Sequence, residues 1–173
     1  MKRKVFLVIL LFLFFLGVFW YYGSYKHSNL LQAVLSEKEE DVSYFVDEKK
    51  YSPNETKYRA NILFFYIISK QNNVNLNFIK FLLKKGFEVE NNSSNHFSPI
   101  FAAVLIKNMN LVDLLIKEGA NVNALYRQKS KPLSIALQVK DCKMARFLVE
   151  KGANLDGIEG KDGFEKMLAE CCK

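Results

Sequence analysis

The chain has 173 residues, half of them apolar and a quarter charged, which gives about one domain with a buried core and excludes a wholly disordered chain. The formal net charge is +7, but three of the 25 basic residues are Lys2, Arg3 and Lys4 ahead of an apolar run, so residues 23–173 carry only +4 against the 18 acidic ones, too mild an excess for a nucleic-acid face. Three cysteines exclude a disulfide scaffold, and His27 and His96 with Cys142, Cys171 and Cys172 have no metal-ligand spacing.

Val5 to Tyr22 is uncharged over eighteen residues, with only Gly17 diluting its apolarity. At 1.5 Å per residue such a helix is about 27 Å long, close to the ~30 Å hydrocarbon core of a bilayer. The basic residues before it favour a cytoplasmic N-terminus, and Trp20, Tyr21 and Tyr22 suit the far interface. Residues 1–22 are therefore expected to be a signal-anchor or transmembrane helix, with residues 23–173 beyond the membrane. A cleaved signal peptide is the competing reading, although Tyr21 and Tyr22 stand where cleavage wants small residues.

The remainder repeats. Residues 98–123, SPIFAAVLIKNMNLVDLLIKEGANVN, align without a gap on residues 131–156, KPLSIALQVKDCKMARFLVEKGANLD, at an offset of 33. Pro99 falls on Pro132, Ala103 on Ala136, Leu115 on Leu148, and Gly119-Ala120-Asn121 on Gly152-Ala153-Asn154. One period earlier, Gly86 closes a helix in which Ile79, Leu82 and Leu83 occupy the apolar positions, and four surplus residues fit into the polar stretch from Ser69 to Asn75. Before that, Ala33 and Val42 keep the register, with Lys49 at the glycine position. Ala169 lies one period after Ala136, so the chain ends on half a unit.

Each unit predicts two helices. Proline opens the first, where its missing N–H is not needed. Alanine lets the second approach, Val112, Leu115 and Ile116 form one apolar stripe, and glycine supplies a left-handed C-cap. A hairpin this short is stable only when neighbours stack on it.

The pattern resembles the ankyrin repeat family over about residues 27–173, as Ser98-Pro99-Ile100-Phe101 and Lys131-Pro132-Leu133-Ser134 with the two Gly-Ala closings. Both copies lack the Thr and His that tie loop to helix in typical members. The resemblance implies an all-α solenoid of about four and a half helix-turn-helix repeats: 27–56, 57–93, 94–126, 127–159 and a terminal half at 160–173. It also implies that stacking brings Cys142 near Cys171 or Cys172. In an exported domain this gives a disulfide from Cys142 to one of them; three free thiols are the alternative.

No Gly-rich phosphate loop, Gly-x-Ser-x-Gly elbow or His-Glu-x-x-His helix is present, so the expectation is a non-enzyme without cofactor or metal. Glu37, Glu39, Glu40 and Asp41 read as a solvated turn, and His96 as a surface or packing residue. The family implies one protein partner on a concave face of loop tips and inner helices. By register its contacts are Lys57, Tyr58, Ser94, Asn95, Phe97, Leu105, Tyr126, Arg127, Gln128, Ser130 and Gln138, with Ile106 and Val139 adjacent. Tyr, Arg and Phe make strong contacts once desolvated. Lys129 and Lys131 make the 126–131 loop basic, so the partner is expected to present an acidic patch.

The layout is similar to small exported bacterial ankyrin proteins, including immunity proteins that neutralise phospholipase toxins of type VI secretion. It implies an inner-membrane, single-pass protein with its C-terminal domain in the periplasm. A periplasmic scaffold for a resident enzyme such as a catalase is the alternative. In a eukaryotic or viral secretory membrane, Asn54-Glu55-Thr56 and Asn92-Ser93-Ser94 would be glycosylation acceptors.

Overall fold

The structure is a computed structural model and describes residues 29–54, 61–90, 98–126 and 130–171. Two compact units divide the chain, Met1–Ser52 and Pro53–Lys173. Among the described residues the regular elements are helical, with one isolated β-bridge between Tyr126 and Ser130. The proposed span from Val5 to Tyr22 lies outside the described residues; among those described, no helix is long and apolar enough to cross a membrane.

The first unit holds one helical hairpin, α1 (residues 29–35) and α2 (Glu39–Ser43), which bury Leu30, Ala33, Val34 and Val42. Glu39, Glu40 and Asp41 fill the first turn of α2, where carboxylates meet the positive end of the helix dipole, and Glu37 stands in the turn before it with φ 56°. From Tyr44 to Glu48 the helix continues as a π turn. A π turn absorbs one residue more than an α turn. The closing hydrogen bond shows it: Tyr51 N–H reaches back six residues to Phe45 O, whereas Phe87, Ala120 and Ala153 each reach back five, to Leu82, Leu115 and Leu148. The left-handed residue is accordingly Lys50, with φ 55°, and not Lys49, with φ −83°. The sequence register assigned Lys49 because an ungapped alignment has no place for the surplus residue.

The second unit contains α3 (Ile62–Lys70), α4 (Leu76–Lys84), α5 (Pro99–Leu105), α6 (Met109–Lys117), α7 (Pro132–Gln138), α8 (Cys142–Glu150) and α9 (Lys161–Cys171). Pro99 and Pro132 open α5 and α7 at the first turn, as their missing donors allow. Asn75, Asn108 and Asp141 cap the outer helices α4, α6 and α8, each side chain accepting from a backbone N–H in the first turn. Gly86, Gly119 and Gly152 close them with φ of 87°, 98° and 90°. A Cβ at Gly119 or Gly152 would meet nothing within 4 Å, so backbone conformation alone requires glycine there.

The inner helix α5 packs on α3 and α7, and each later inner helix packs on its own outer partner. Ile100 to Val104 are all buried, because α5 has neighbours on both sides. The outer helices bury only one stripe, Leu111, Val112 and Leu115 in α6 and Met144, Ala145 and Leu148 in α8. Tyr66 of α3 and Phe78 of α4, both buried, meet with ring centroids 5.3 Å apart. Truncating a fully buried leucine such as Leu115 to alanine removes about 2–5 kcal/mol.

α9 buries no residue of its own. It packs on α7 and α8, and a disulfide joins Cys171 in its last turn to Cys142 at the start of α8, with the Cα atoms 4.9 Å apart. The covalent link takes the place of an apolar stripe.

Candidate protein-binding surface

The segments between successive helical hairpins carry a ladder of side-chain hydrogen bonds. Asn54 donates from Nδ2 to Gly86 O at 2.8 Å and accepts from Glu88 N–H at 2.9 Å. Asn123 makes the same pair of bonds one repeat pair later, to Gly152 O at 3.0 Å and from Asn154 N–H at 2.8 Å. Between them stands Glu90, whose carboxylate accepts from Asn121 N–H at 2.6 Å and has no donor for a carbonyl. Burial raises the Glu90 pKa above the ordinary carboxylate value, opposed by the hydrogen bond from Asn121 N–H.

The missing Thr and His are replaced locally. Ser98 Oγ donates to Val89 O at 3.2 Å. In the next repeat the buried Ser134 hydroxyl accepts from Lys131 N–H at 2.9 Å and donates to Lys131 O at 2.8 Å. Phe101, at the other His position, packs edge-on to Tyr126 at 6.3 Å. Tyr126 and Ser130 exchange both backbone hydrogen bonds, which holds these two residues opposite one another.

Seven expected contacts, Lys57, Tyr58, Ser94, Asn95, Phe97, Arg127 and Gln128, lie outside the described residues. Of the other four, Leu105 and Gln138 are exposed at equivalent positions, the last residues of α5 and α7. Tyr126 and Ser130 are half-buried. Ile106 and Val139, half-buried, are the C-caps of those inner helices.

Lys131 departs from expectation. It is only 5% exposed, and its ammonium donates to Asn154 Oδ1 at 2.6 Å. Its charge is directed into the neighbouring loop beside Asp156, not out to a partner. A lysine can bury its stem and keep its head hydrogen-bonded, which composition alone does not reveal.

Four further residues, Ile68, Gln71, Asn72 and Lys107, were not anticipated as contacts. Ile68, Gln71 and Asn72 line a groove of about 340 Å³ together with Leu105, Ile106 and Lys107. The first three come from the end of α3 and the 3-10 turn Gln71–Asn73, the second three from the end of α5. The polar insertion between Ser69 and Asn75 was the available signal, since inserted residues at a helix turn build relief on an otherwise regular edge.

Among the described residues no group of three or more His, Cys, Asp or Glu could hold a metal ion. Asn54 has its amide nitrogen engaged in the ladder, the same atom that a glycan would occupy, and Asn92 lies outside the described residues.

Residues 64–158, more than half of the chain, match a family model described as ankyrin repeats in three copies. The chain belongs to the ankyrin repeat family. Ankyrin repeats are in general non-enzymatic modules for protein–protein interaction, and the three matched copies span the hairpins from α3 to α8. No curated protein matches the sequence.

Proposed function

We propose that this ankyrin protein is a membrane-tethered binding module that holds one protein partner in the periplasm and acts by covering it. The partner read from the layout is a secreted toxin of the phospholipase type, whose active-site mouth the loops and inner helices would block. Steric blocking needs no catalytic residue in the blocker. The observation that carries the reading is the disulfide between Cys142 and Cys171, because such bonds persist in oxidising compartments. The uncharged run from Val5 to Tyr22 behind Lys2, Arg3 and Lys4 supports a tether that leaves the repeats on that side.

The test is purification of the full chain from membranes of its native host, with any retained protein identified and assayed. The expected result is a hydrolase whose activity falls in proportion to added ankyrin protein and recovers when Tyr126 is changed to alanine. Retention of an enzyme whose activity is unchanged or raised would favour a scaffold instead. Release of the chain from membranes by a carbonate wash would remove the tether from the proposal.

A further inference from the structure

Fourteen residues separate the start of α3 from the start of α4, and ten separate the corresponding starts in the two later repeats. The surplus lengthens α3 to nine residues, against seven in α5 and in α7, and adds the 3-10 turn Gln71–Asn73. This turn is the wall of the groove that faces Leu105 to Lys107.

The apolar exposure on this edge is confined to the repeat beside that wall. Leu105 and Met109 are each 41% exposed. One repeat later the equivalent residues are Gln138 and Cys142, one polar and the other tied into the disulfide. Both helices bury the residues on either side of their shared alanine, Phe101, Ala103 and Val104 in α5 and Ser134, Ala136 and Leu137 in α7, so stacking alone does not set the difference.

The same edge is basic. Lys70 ends α3, Lys107 follows α5, and Lys140 and Lys143 flank the start of α8, whereas the two segments that wall the groove, 69–75 and 105–112, contain no acidic residue. Asp141 is nearby, with its carboxylate accepting from Met144 N–H. Lys107 and Lys140 have φ of 57° and 54°, a conformation that glycine adopts without strain and lysine does not.

We infer that the groove between the ends of α3 and α5 is the anchor point for a protein partner, and that it takes an apolar side chain from an acidic segment. The apolar side chain enters among Ile68, Leu105 and Ile106, Gln71 and Asn72 meet the backbone beside it, and flanking carboxylates face Lys107 and Lys140. This deepens the proposed binding role and moves acid recognition from the 126–131 loop, where Lys131 is turned inward, to the helix-turn edge.

Three fluorescein-labelled peptides test it with the full chain in detergent: Glu-Asp-Leu-Leu-Asp-Glu, the same peptide with lysines for the acids, and the same with serines for the leucines. Fluorescence anisotropy should show binding of the first alone, weakening as salt is raised. Leu105→Gln, which installs the residue found at the equivalent Gln138, should weaken it about tenfold with an unchanged melting temperature. Lys107→Gly should also weaken it while leaving the fold intact. Equal binding of all three peptides, insensitivity to Leu105→Gln, or preference for phosphatidylglycerol vesicles over the acidic peptide would each overturn the assignment. The binding role itself stands or falls separately: a captured partner released by Tyr126→Ala but indifferent to Leu105→Gln retains the module and removes this groove.

Discussion

The Glu90 carboxylate accepts a hydrogen bond from Asn121 N–H at 2.6 Å, in the place where Asn54 and Asn123 each hold two groups of the following loop. An amide both accepts and donates, while an ionised carboxylate only accepts. Glu90→Asn should therefore stabilise the repeats by about 1 kcal/mol, the net value of one added hydrogen bond. Thermal melts at neutral pH would show it, and a lower melting temperature than wild type would refute the rung assignment.

The same residue gives a pH dependence with a definite sign. Its folded-state pKa is raised by burial, so the folded chain holds this proton more tightly than the unfolded one. The stability this contributes is fully present below the unfolded value and is lost as pH rises through the folded one. Glu90→Gln cannot titrate, so its melting temperature should gain on wild type as pH rises from the ordinary carboxylate range, and the gap should then stay constant.

Asp113 behaves in the opposite way. Hydrogen bonds from Lys117 and Lys151, both at 2.6 Å, lower its pKa, and Lys151 reaches it from the next outer helix. Its contribution is present above the unfolded value and disappears as pH falls through the folded one. The melting difference between wild type and Asp113→Asn should be small, shrink with added salt and vanish in acid.

Reduction should loosen α9 before anything else. The Cys142–Cys171 bond closes a segment with a sequence separation of 29 residues, which a chain-entropy estimate values at about 3–4 kcal/mol. In a stacked array such a loss is local, because each hairpin touches only its neighbours. Hydrogen exchange in the presence of dithiothreitol should accelerate across 161–171 and leave α5 and α6 protected. Uniform acceleration would show that the terminal helix folds with the rest as one unit.

Ser134→Ala should cost about 1–2 kcal/mol, since it removes a buried hydroxyl that serves both the N–H and the carbonyl of Lys131. Chemical denaturation measures this directly. An unchanged midpoint would mean that the hydroxyl is dispensable to the helix start.

The helical hairpins were legible because their signals are local. Pro99 and Pro132 mark helix starts, Gly119 and Gly152 mark stops, and the four surplus residues were placed correctly between Ser69 and Asn75. What escaped depends on which loop lies beside which. Glu90 and Asn121 are 31 positions apart, and nothing in either loop names the other. Lys131 reads as solvated until Asn154 is seen at its ammonium. The groove joins Ile68 to Leu105 across two elements, so its apolar floor is invisible along the chain although its polar wall is not.

The π turn at Tyr44–Glu48 has a consequence for anyone aligning or re-engineering this first hairpin. A surplus residue hidden inside a helix rotates everything downstream by about 100° around the axis, without leaving a loop to betray it. Phe45 still occupies the place of Leu115, and the shift falls on the residues between it and Tyr51. Excising one residue between Phe45 and Lys49 would leave Lys50 in the left-handed position and bring the first copy into step with its successors.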